Sequence, residues 1–312
     1  MLQLSQSQLT LIEQCPRKFQ YLCLDQLAAP ILAEQRGHLT RGSQVHYLMQ
    51  QHELQLPQDA LQSLNRHSLA NGLNQGTANG AQQDQLYQIV QALTEAVPDF
   101  DDATVFRQSE YRITLNWRDV LLTVVYDLLL LNATNAYIFD WKTYLSPPNL
   151  QQLRQRLVSH WQTKLYPFVL VETSDYPPEA VEISYWFVKR RSYAHRDDEA
   201  QEPNNDQTSL PERNHRFESE CLTFTYSDRL HQQTKQELAH LLGQLHHWLD
   251  DYRRYQPLPK VDATQGICSQ CSFQMRCDRA NNASTQENWE ELGDISAIPE
   301  VQPLPITEMP LT

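Results

Sequence analysis

The segment 120–131, VLLTVVYDLLLL, constrains the fold most, because it is apolar at almost every position yet carries Asp127. Segments 104–116 and 136–143 are similarly rich in the residues that strands favour, such as Val, Ile, Leu, Tyr and Phe. The turn-forming sequences NWRD at 116–119 and NATN at 132–135 separate the three segments. The sequence therefore predicts a three-stranded antiparallel meander with a carboxylate inside its central strand.

A second acidic residue is expected beside the first. Residues two apart in a strand share a face, so Asp140 and Lys142 in the sequence FDWK point the same way. If the loop at 132–135 is symmetric and even, Asp127 lies directly opposite Asp140, with Cβ atoms ~5 Å apart. Two carboxylates at that distance repel each other unless a cation lies between them, and a hard divalent ion suits such ligands.

Glu110 is a further acidic candidate on this face. A symmetric turn at 116–119 sets Glu110 opposite Val125, on the side that carries Asp127. The alternative to a metal site is a solvated sheet face, where charged residues are ordinary. The apolar neighbours of Asp127 favour the metal site, because a buried carboxylate needs a partner or a metal.

Helical patterns flank the predicted meander. Ser5 or Ser7 can cap a first helix, and Pro16 suits the first turn of a second. The remaining predictions are helices at 40–55, 58–70, 83–97, 149–173 and 228–255, strands at 180–189 and 217–226, and a polar loop at 195–215. The predicted organisation is a helical N-terminal region at 1–100, a core at 101–260, a cysteine cluster at 261–280 and an acidic, proline-rich tail at 281–312.

The charge balance excludes a protein that coats nucleic acid by bulk positive charge, since 25 basic residues face 38 acidic ones, a net charge of −13. Small basic groups, such as Arg17 with Lys18 and Arg276 with Arg279, could still line a channel for a single strand, or could be solubilising surface pairs. Trp141, Tyr144 or Trp161 could stack on bases there. No apolar run approaches the roughly 20 residues of a membrane span, and the N-terminus resembles no secretory signal, so the cytoplasm is the expected compartment.

Three of the six cysteines, Cys268, Cys271 and Cys277, have the spacing C-x₂-C-x₅-C. Cysteines in the cytoplasm are more often free, catalytic or metal-binding than disulfide-bonded. Three clustered thiolates require a fourth ligand, and Cys15, Cys23 and Cys221 are the candidates. Zinc, an iron–sulfur cluster and unligated cysteines are all compatible with this spacing. Zinc sites commonly pair two C-x₂-C knuckles, and the sequence has one.

Five motifs in order resemble the PD-(D/E)xK nucleases of the RecB type. They are LSQSQL with QCPRKF in the opening segment at 4–19, RGSQVH at 41–46, VYD at 125–127, DWK at 140–142 and QTKLY at 162–166. The resemblance runs, with gaps, from about Leu4 to Arg279. The family usually has glycine three residues before its first acidic residue, where this chain has Val124.

The resemblance implies an α/β restriction-endonuclease-like core, a central mixed sheet flanked by helices, with helical N-terminal additions. It makes Asp127, Asp140, His46 and the Trp141 carbonyl ligands of Mg²⁺ or Mn²⁺, and Lys142 the group that positions water and stabilises charge. It makes Gln162 and Tyr166, four apart on a helix, residues that orient the substrate strand. The alternatives are a histidine satisfied on its helix and a tyrosine packed on the sheet.

The cysteines resemble the iron–sulfur staple of several RecB-type nucleases, including the CRISPR-associated exonucleases and the nuclease domain of AddB. The resemblance assigns the fourth ligand to Cys15 and implies a [4Fe–4S] cluster held by Cys15, Cys268, Cys271 and Cys277. Cys23 and Cys221 are then expected to be small core residues.

The expected activity is metal-dependent cleavage of DNA, exonucleolytic on single strands or ends, in repair, recombination or CRISPR-type processing. The alternatives are a non-catalytic DNA-binding or scaffold protein and an RNA nuclease. No Walker A sequence occurs, so a helicase is expected only as a partner.

Overall fold

The computed structural model of the protein describes residues 2–27, 33–54, 78–95, 97, 106–145, 149–190 and 217–279. The predictions of a helix at 58–70, a polar loop at 195–215 and an acidic tail at 281–312 lie outside these ranges.

The described ranges contain both strands and helices. In chain order they are β1 (Leu2–Leu4), α1 (Gln6–Gln14), α2 (Pro16–Phe19), a π-helical turn (Gln20–Leu24), α3 (Ala33–Glu53), α4 (Ala78–Thr94), β2 (Phe106–Trp117), β3 (Val120–Leu131), β4 (Ala136–Leu145), α5 (Leu150–Ser159), α6 (Trp161–Glu172), a 3₁₀ turn (Pro178–Ala180), β5 (Val181–Arg190), β6 (Phe217–Thr225), α7 (Asp228–Arg253), and the 3₁₀ turns Ala263–Gln265, Ile267–Gln270 and Met275–Cys277. The mixed α/β class is therefore confirmed, and the predicted strands lie within a few residues of the observed ones.

Local sequence accounts for the helix boundaries. Ser5 is the N-cap of α1, and its backbone N–H donates to the side chain of Gln8 at 2.8 Å. Pro16 stands at the first position of α2, where it has no hydrogen bond to lose. The helical segment predicted at 149–173 is confirmed but consists of two helices, because His160 takes an extended conformation and separates α5 from α6.

The sheet is mixed, and β3 pairs with three other strands. β2 runs antiparallel along one whole edge of β3, while β1 and β4 share the other edge. β1 pairs in parallel with residues 120–122 and β4 pairs antiparallel with residues 128–131. Between them, residues 123–127 of β3 have no strand partner on this edge among the described residues. β5 continues the sheet in parallel with β4, and β6 lies antiparallel to β5.

The two predicted registers have different outcomes. β4 pairs with β3 in the predicted register from Leu131 and Ala136 to Leu128 and Phe139. The pairing ends there, so the direct pair predicted between Asp127 and Asp140 is not formed. The register predicted for β2 is wrong by two residues, because the turn contains only Arg118 and Asp119, and Arg112 instead of Glu110 lies opposite Val125. A shift of two residues keeps every side chain on its face.

Helices cover both faces of the sheet and create two apolar clusters. Helices α1, α5, α6 and α7 cover the first cluster, and α3 and α4 cover the second. Val124 and Tyr126 belong to the first cluster, whereas Leu128 and Leu130 belong to the second. Since a regular strand would place all four on one face, β3 changes phase at Asp127.

Candidate metal centre

The two predicted carboxylates lie where β4 separates from β3. Pairing between these strands ends at Leu128 and Phe139, and at the next level the backbone N–H of Trp141 donates to Asp127 Oδ2 at 2.7 Å. The side chain of Asp127 thus takes the place of a hydrogen bond between the two strands. We call this point, where β4 separates from β3 after Leu128 and Phe139, the fork. Asp127 is 8% exposed and Asp140 is 3% exposed, so burial makes a charged partner valuable to both.

His46 approaches this fork from α3 and faces acceptors on both ring nitrogens. Its Nδ1 lies 3.3 Å from Asp127 Oδ1 and 3.6 Å from Glu110 Oε1, while Nε2 lies 3.1 Å from the carbonyl oxygen of Trp141. Burial lowers the pKa of His46, but the carboxylates of Asp127 and Glu110 outweigh it and hold that pKa well above its ordinary value of 6.5.

Glu110 reaches the fork through an irregular backbone. Its φ is +52°, and it stands between the pairs that join Ser109 to Leu128 and Tyr111 to Tyr126. Positive φ is costly for a residue with a Cβ, and such strain persists where the surroundings determine it. The irregular positions of β2 and β3 thus coincide at the carboxylates.

Asp140 belongs to a network with Lys142 and Gln162. Lys142 Nζ lies 2.5 Å from Asp140 Oδ1 and donates to Gln162 Oε1 at 2.9 Å, and the amide of Gln162 donates to Asp140 Oδ2. Burial raises the pKa of Asp140, an effect that Lys142 opposes and the neighbouring Asp127 reinforces. Gln162 lies in the first turn of α6, which explains how this helix reaches the fork.

The aromatic residues near the fork are buried. Tyr166 is 1% exposed and packs edge to face on Tyr126, whose hydroxyl donates to the Tyr166 carbonyl oxygen at 3.0 Å. The burial of Tyr166 agrees with the alternative interpretation, in which this tyrosine packs on the sheet. Trp141 and Trp161 are each 2% exposed, so the prediction that they stack on bases is wrong. The side chain of Tyr144 lies outside the described residues.

Tyr185 is a residue of the site that the sequence did not predict, and Lys142 Nζ lies over the face of its ring. The parallel ladder between β4 and β5 sets Tyr185 beside Asp140. Its ring centroid lies 5.3 Å from Lys142 Nζ, and its hydroxyl is 2.8 Å from Thr163 Oγ1. Parallel pairing depends on the intervening helices, so no local signal in the sequence identifies this neighbour.

The residues at the fork fit a divalent cation. The atoms offered by His46, Glu110 and Asp127 all lie within 4.8 Å of one another. Asp140 is buried, and its Oδ1 contacts the ammonium of Lys142. Carboxylate and carbonyl oxygens are the ligands that suit Mg²⁺ and Mn²⁺.

The four predicted cysteine ligands line one cavity. Cys15, Cys268, Cys271 and Cys277 surround it together with Lys18, Lys260 and Arg279, which add positive charge, and with Tyr21, Phe273 and Gln274. Cys15 has extended backbone between α1 and α2, as expected beside Pro16.

The other two cysteines lie elsewhere. Cys23 packs against the first apolar cluster and Cys221 lies in β6 near Thr223, and neither lines the cavity. Among the described residues, no three cysteine sulfurs lie within 4.8 Å of one another. Thiolates on one tetrahedral zinc lie about 3.8 Å apart, given a Zn–S bond of about 2.3 Å. The described cysteine sulfurs are therefore not gathered in the geometry of a single zinc site.

Basic residues support this cavity. Arg279 donates to Cys268 Sγ at 2.8 Å, and Lys260 donates to the carbonyl oxygen of Cys277 at 2.9 Å. Burial raises the pKa of the Cys271 thiol, and the nearby charge of Lys18 opposes that rise. Positive charge beside thiols favours the thiolate form that binds metal.

A forked mixed sheet with acidic residues and a lysine at the fork defines a class of metal-dependent hydrolases. The sequence model of the PD-(D/E)XK nuclease superfamily matches residues 3–278, and the chain belongs to this superfamily. Its members are typically nucleases that act on DNA and usually use Mg²⁺ or Mn²⁺. A search of the curated proteins found no match. In the part of the chain that the structure describes, no helix is both long and apolar enough to cross a membrane.

Proposed function

We propose that the protein is a metal-dependent deoxyribonuclease of the RecB type that degrades DNA from ends or as single strands. The observation that carries the proposal is the meeting of His46, Asp127, Asp140 and Lys142 at the fork between β3 and β4, in a chain of the PD-(D/E)XK superfamily. The order of its motifs, which resembles that of the RecB type, supports the exonuclease assignment.

The metal ligands in this proposal are Asp127, Asp140, His46 and the carbonyl oxygen of Trp141. All except Asp140 are already in mutual contact, with His46 between the other two. Glu110, beside His46, is a further ligand or orients the imidazole. When bound, a divalent cation neutralises the scissile phosphate and lowers the pKa of a coordinated water.

Lys142 and Gln162 act on the reacting groups in this proposal. Lys142 orients the attacking water and stabilises negative charge that develops on the phosphate, since its ammonium is a preorganised cation beside Asp140. Gln162 holds both partners of that ion pair and thereby orients the substrate strand near them. Tyr166, assigned to the same task by resemblance, packs in the core against Tyr126 and makes no direct contact with the substrate strand in this proposal.

The cysteine cavity is proposed to hold a [4Fe–4S] cluster. Each of the four thiolates binds a different iron of such a cluster, which agrees with sulfurs that surround a cavity without converging on one point. The role proposed for the cluster is structural, as a staple between the N-terminal and C-terminal parts of the chain, with hydrolysis left to the metal centre.

The proposed partner is DNA, supported locally by cations and not by the net charge. Lys18, Lys260 and Arg279 gather at the cysteine cavity in a chain with a net charge of −13. The proposed setting is cytoplasmic DNA repair, recombination or CRISPR-type processing, in which a helicase partner can supply single strands.

A cleavage assay tests the proposed function directly. End-labelled and internally labelled single- and double-stranded DNA, and RNA of the same sequence, are incubated with protein and Mg²⁺, Mn²⁺ or EDTA. We expect mononucleotides or short products from DNA with either metal and none with EDTA. Asp140→Ala and Lys142→Ala should each lower the rate at least ~100-fold, the usual cost of losing an electrostatic stabiliser.

The matched controls change an exposed ion pair of α7, in which Arg253 lies 2.6 Å from Asp250. Asp250→Ala and Arg253→Ala remove the same kinds of charge away from the fork and should keep the wild-type rate. Near-normal cleavage by folded Asp140→Ala would refute the site. An inert wild-type protein that still binds DNA would indicate a scaffold, and preferential RNA cleavage an RNA nuclease.

A further inference from the structure

Tyr185 is completely buried on β5 and contacts two parts of the proposed catalytic network. The face of its ring lies 5.3 Å from Lys142 Nζ, within the range of a cation–π contact. Its hydroxyl lies 2.8 Å from Thr163 Oγ1, on the helical turn that also carries Gln162. The same tyrosine thus touches the lysine and supports the helix that holds the lysine's partner.

The contact between Tyr185 and Lys142 matters because Asp140 is both the ion-pair partner of Lys142 and a proposed metal ligand. Lys142 Nζ lies 2.5 Å from Asp140 Oδ1, and the same carboxylate is a proposed ligand of the divalent cation. A second cation on Asp140 repels the ammonium and weakens its ion pair. A ring face attracts the ammonium without offering a carboxylate that would compete for the metal.

We propose that Tyr185 is a positioning residue for Lys142. Its ring face holds the ammonium at the fork when Asp140 is shared with a divalent cation, and its hydroxyl anchors the start of α6 so that Gln162 stays within reach of Lys142. The inference rests on the proposed nuclease function and adds a residue that the sequence motifs do not include.

The test replaces the electrostatic property of the ring while keeping its shape. Position 185 is changed to phenylalanine and then to mono-, di- and trifluorinated phenylalanine, because fluorine progressively weakens the negative potential of the ring face. The single-turnover cleavage rate, the Kd for single-stranded DNA and the Kd for Mn²⁺ without DNA are measured for each. We expect Tyr185→Phe to lower the rate about 3-fold, because the hydroxyl contact with Thr163 is lost, and the rate to fall stepwise by about a further 10-fold across the fluorinated series.

If Tyr185 acted only by filling space, the cleavage rate would not change along the fluorinated series, because the fluorinated rings have nearly the same size. If Tyr185 instead positions Lys142, the Kd values for single-stranded DNA and for Mn²⁺ should stay within about 3-fold throughout the series. This result would separate loss of positioning from loss of metal or DNA binding. Phe224→Leu is the matched control, because Phe224 packs on Tyr185 at 5.8 Å between ring centroids without a described contact to Lys142. Its rate should remain close to that of wild type.

The outcomes distinguish this inference from the proposed function. An active wild-type enzyme with a flat fluorination series refutes the positioning role alone. A fall in rate that is matched by weaker Mn²⁺ binding also refutes it, because the effect would then act through the metal ligands. A wild-type protein that does not cleave DNA refutes the nuclease proposal and the role of Tyr185 with it.

Discussion

At the scale of single residues, His46 shows how the fork is prepared for a cation. A neutral imidazole can donate from only one nitrogen, yet both nitrogens of His46 face acceptors, namely the carboxylates of Asp127 and Glu110 and the carbonyl of Trp141. An imidazolium satisfies all of them. In the metal-free protein, the proton therefore supplies positive charge where the proposed divalent cation would otherwise do so.

Titration of His46 in metal-free protein tests this arrangement. The two carboxylates raise its pKa well above 6.5, so its contribution to folding stability is complete below that value and disappears as pH rises through the folded-state pKa. Asp127→Asn should lower the midpoint, because the largest attractive contribution is lost while burial remains. Two-dimensional NMR of ¹⁵N-labelled imidazole rings measures the midpoint.

Saturating Mg²⁺ should remove the high-pH titration of His46, because a ligand nitrogen cannot keep its proton. A midpoint at or below 6.5 in wild type, or one unchanged in Asp127→Asn, would contradict the contacts at the fork.

The sequence was informative about individual residues where chemistry restricts the choice. Asp127 could be singled out because an acid in an apolar strand requires a partner, and Asp140 because strand alternation and register bring it close. Tyr185 could not, because it joins the site through parallel pairing between β4 and β5. That pairing is set by how α5 and α6 pack, which short-range patterns do not encode.

At the scale of elements, the strand bounds of the β2–β3 hairpin could be predicted from the sequence, but the length of its turn could not. Strand bounds follow from β-branched and apolar residues, but the turn was predicted as four residues and contains two, Arg118 and Asp119. Both have positive φ, at +49° and +64°, as in the tight hairpin turn that prefers Asn-Gly. Arg-Asp carries no such signal, although Arg118 gains a contact with the ring of Trp117 at 4.9 Å.

Asp119→Gly should stabilise this hairpin. Glycine adopts positive φ without the steric cost of a Cβ, so we expect the free energy of unfolding to rise by about 1 kcal/mol. The melting temperature should rise by about 2–4 °C for a domain of this size. Thermal unfolding followed by circular dichroism measures it. Asp119→Ala keeps the Cβ and should not stabilise, and a lower melting temperature for Asp119→Gly than for wild type would contradict the turn.

At the scale of the whole molecule, the segment after α7 returns to the N-terminal helices. Arg17 donates to the carbonyl oxygens of Leu258 and Pro259, and the backbone N–H of Leu258 donates to Gln20 at 2.8 Å. The rings of Tyr21 and Phe273 lie 5.1 Å apart. The family resemblance predicts that Cys15 belongs to the cysteine cluster. It does not predict these hydrogen bonds, because they join residues roughly 240 positions apart in the sequence.

Cys15→Ser tests whether a cluster reinforces that junction. Anaerobically purified wild type should be brown and hold about four irons, and the variant should lose them because one ligand is missing. It should also lose about 2–5 kcal/mol of stability, by analogy with disulfides that close long loops. Iron analysis, visible absorption and thermal unfolding measure these effects. Cys23→Ser is the control and should keep its iron, because Cys23 does not line the cavity. Zinc in wild type, or iron lost only from Cys23→Ser, would overturn the ligand set.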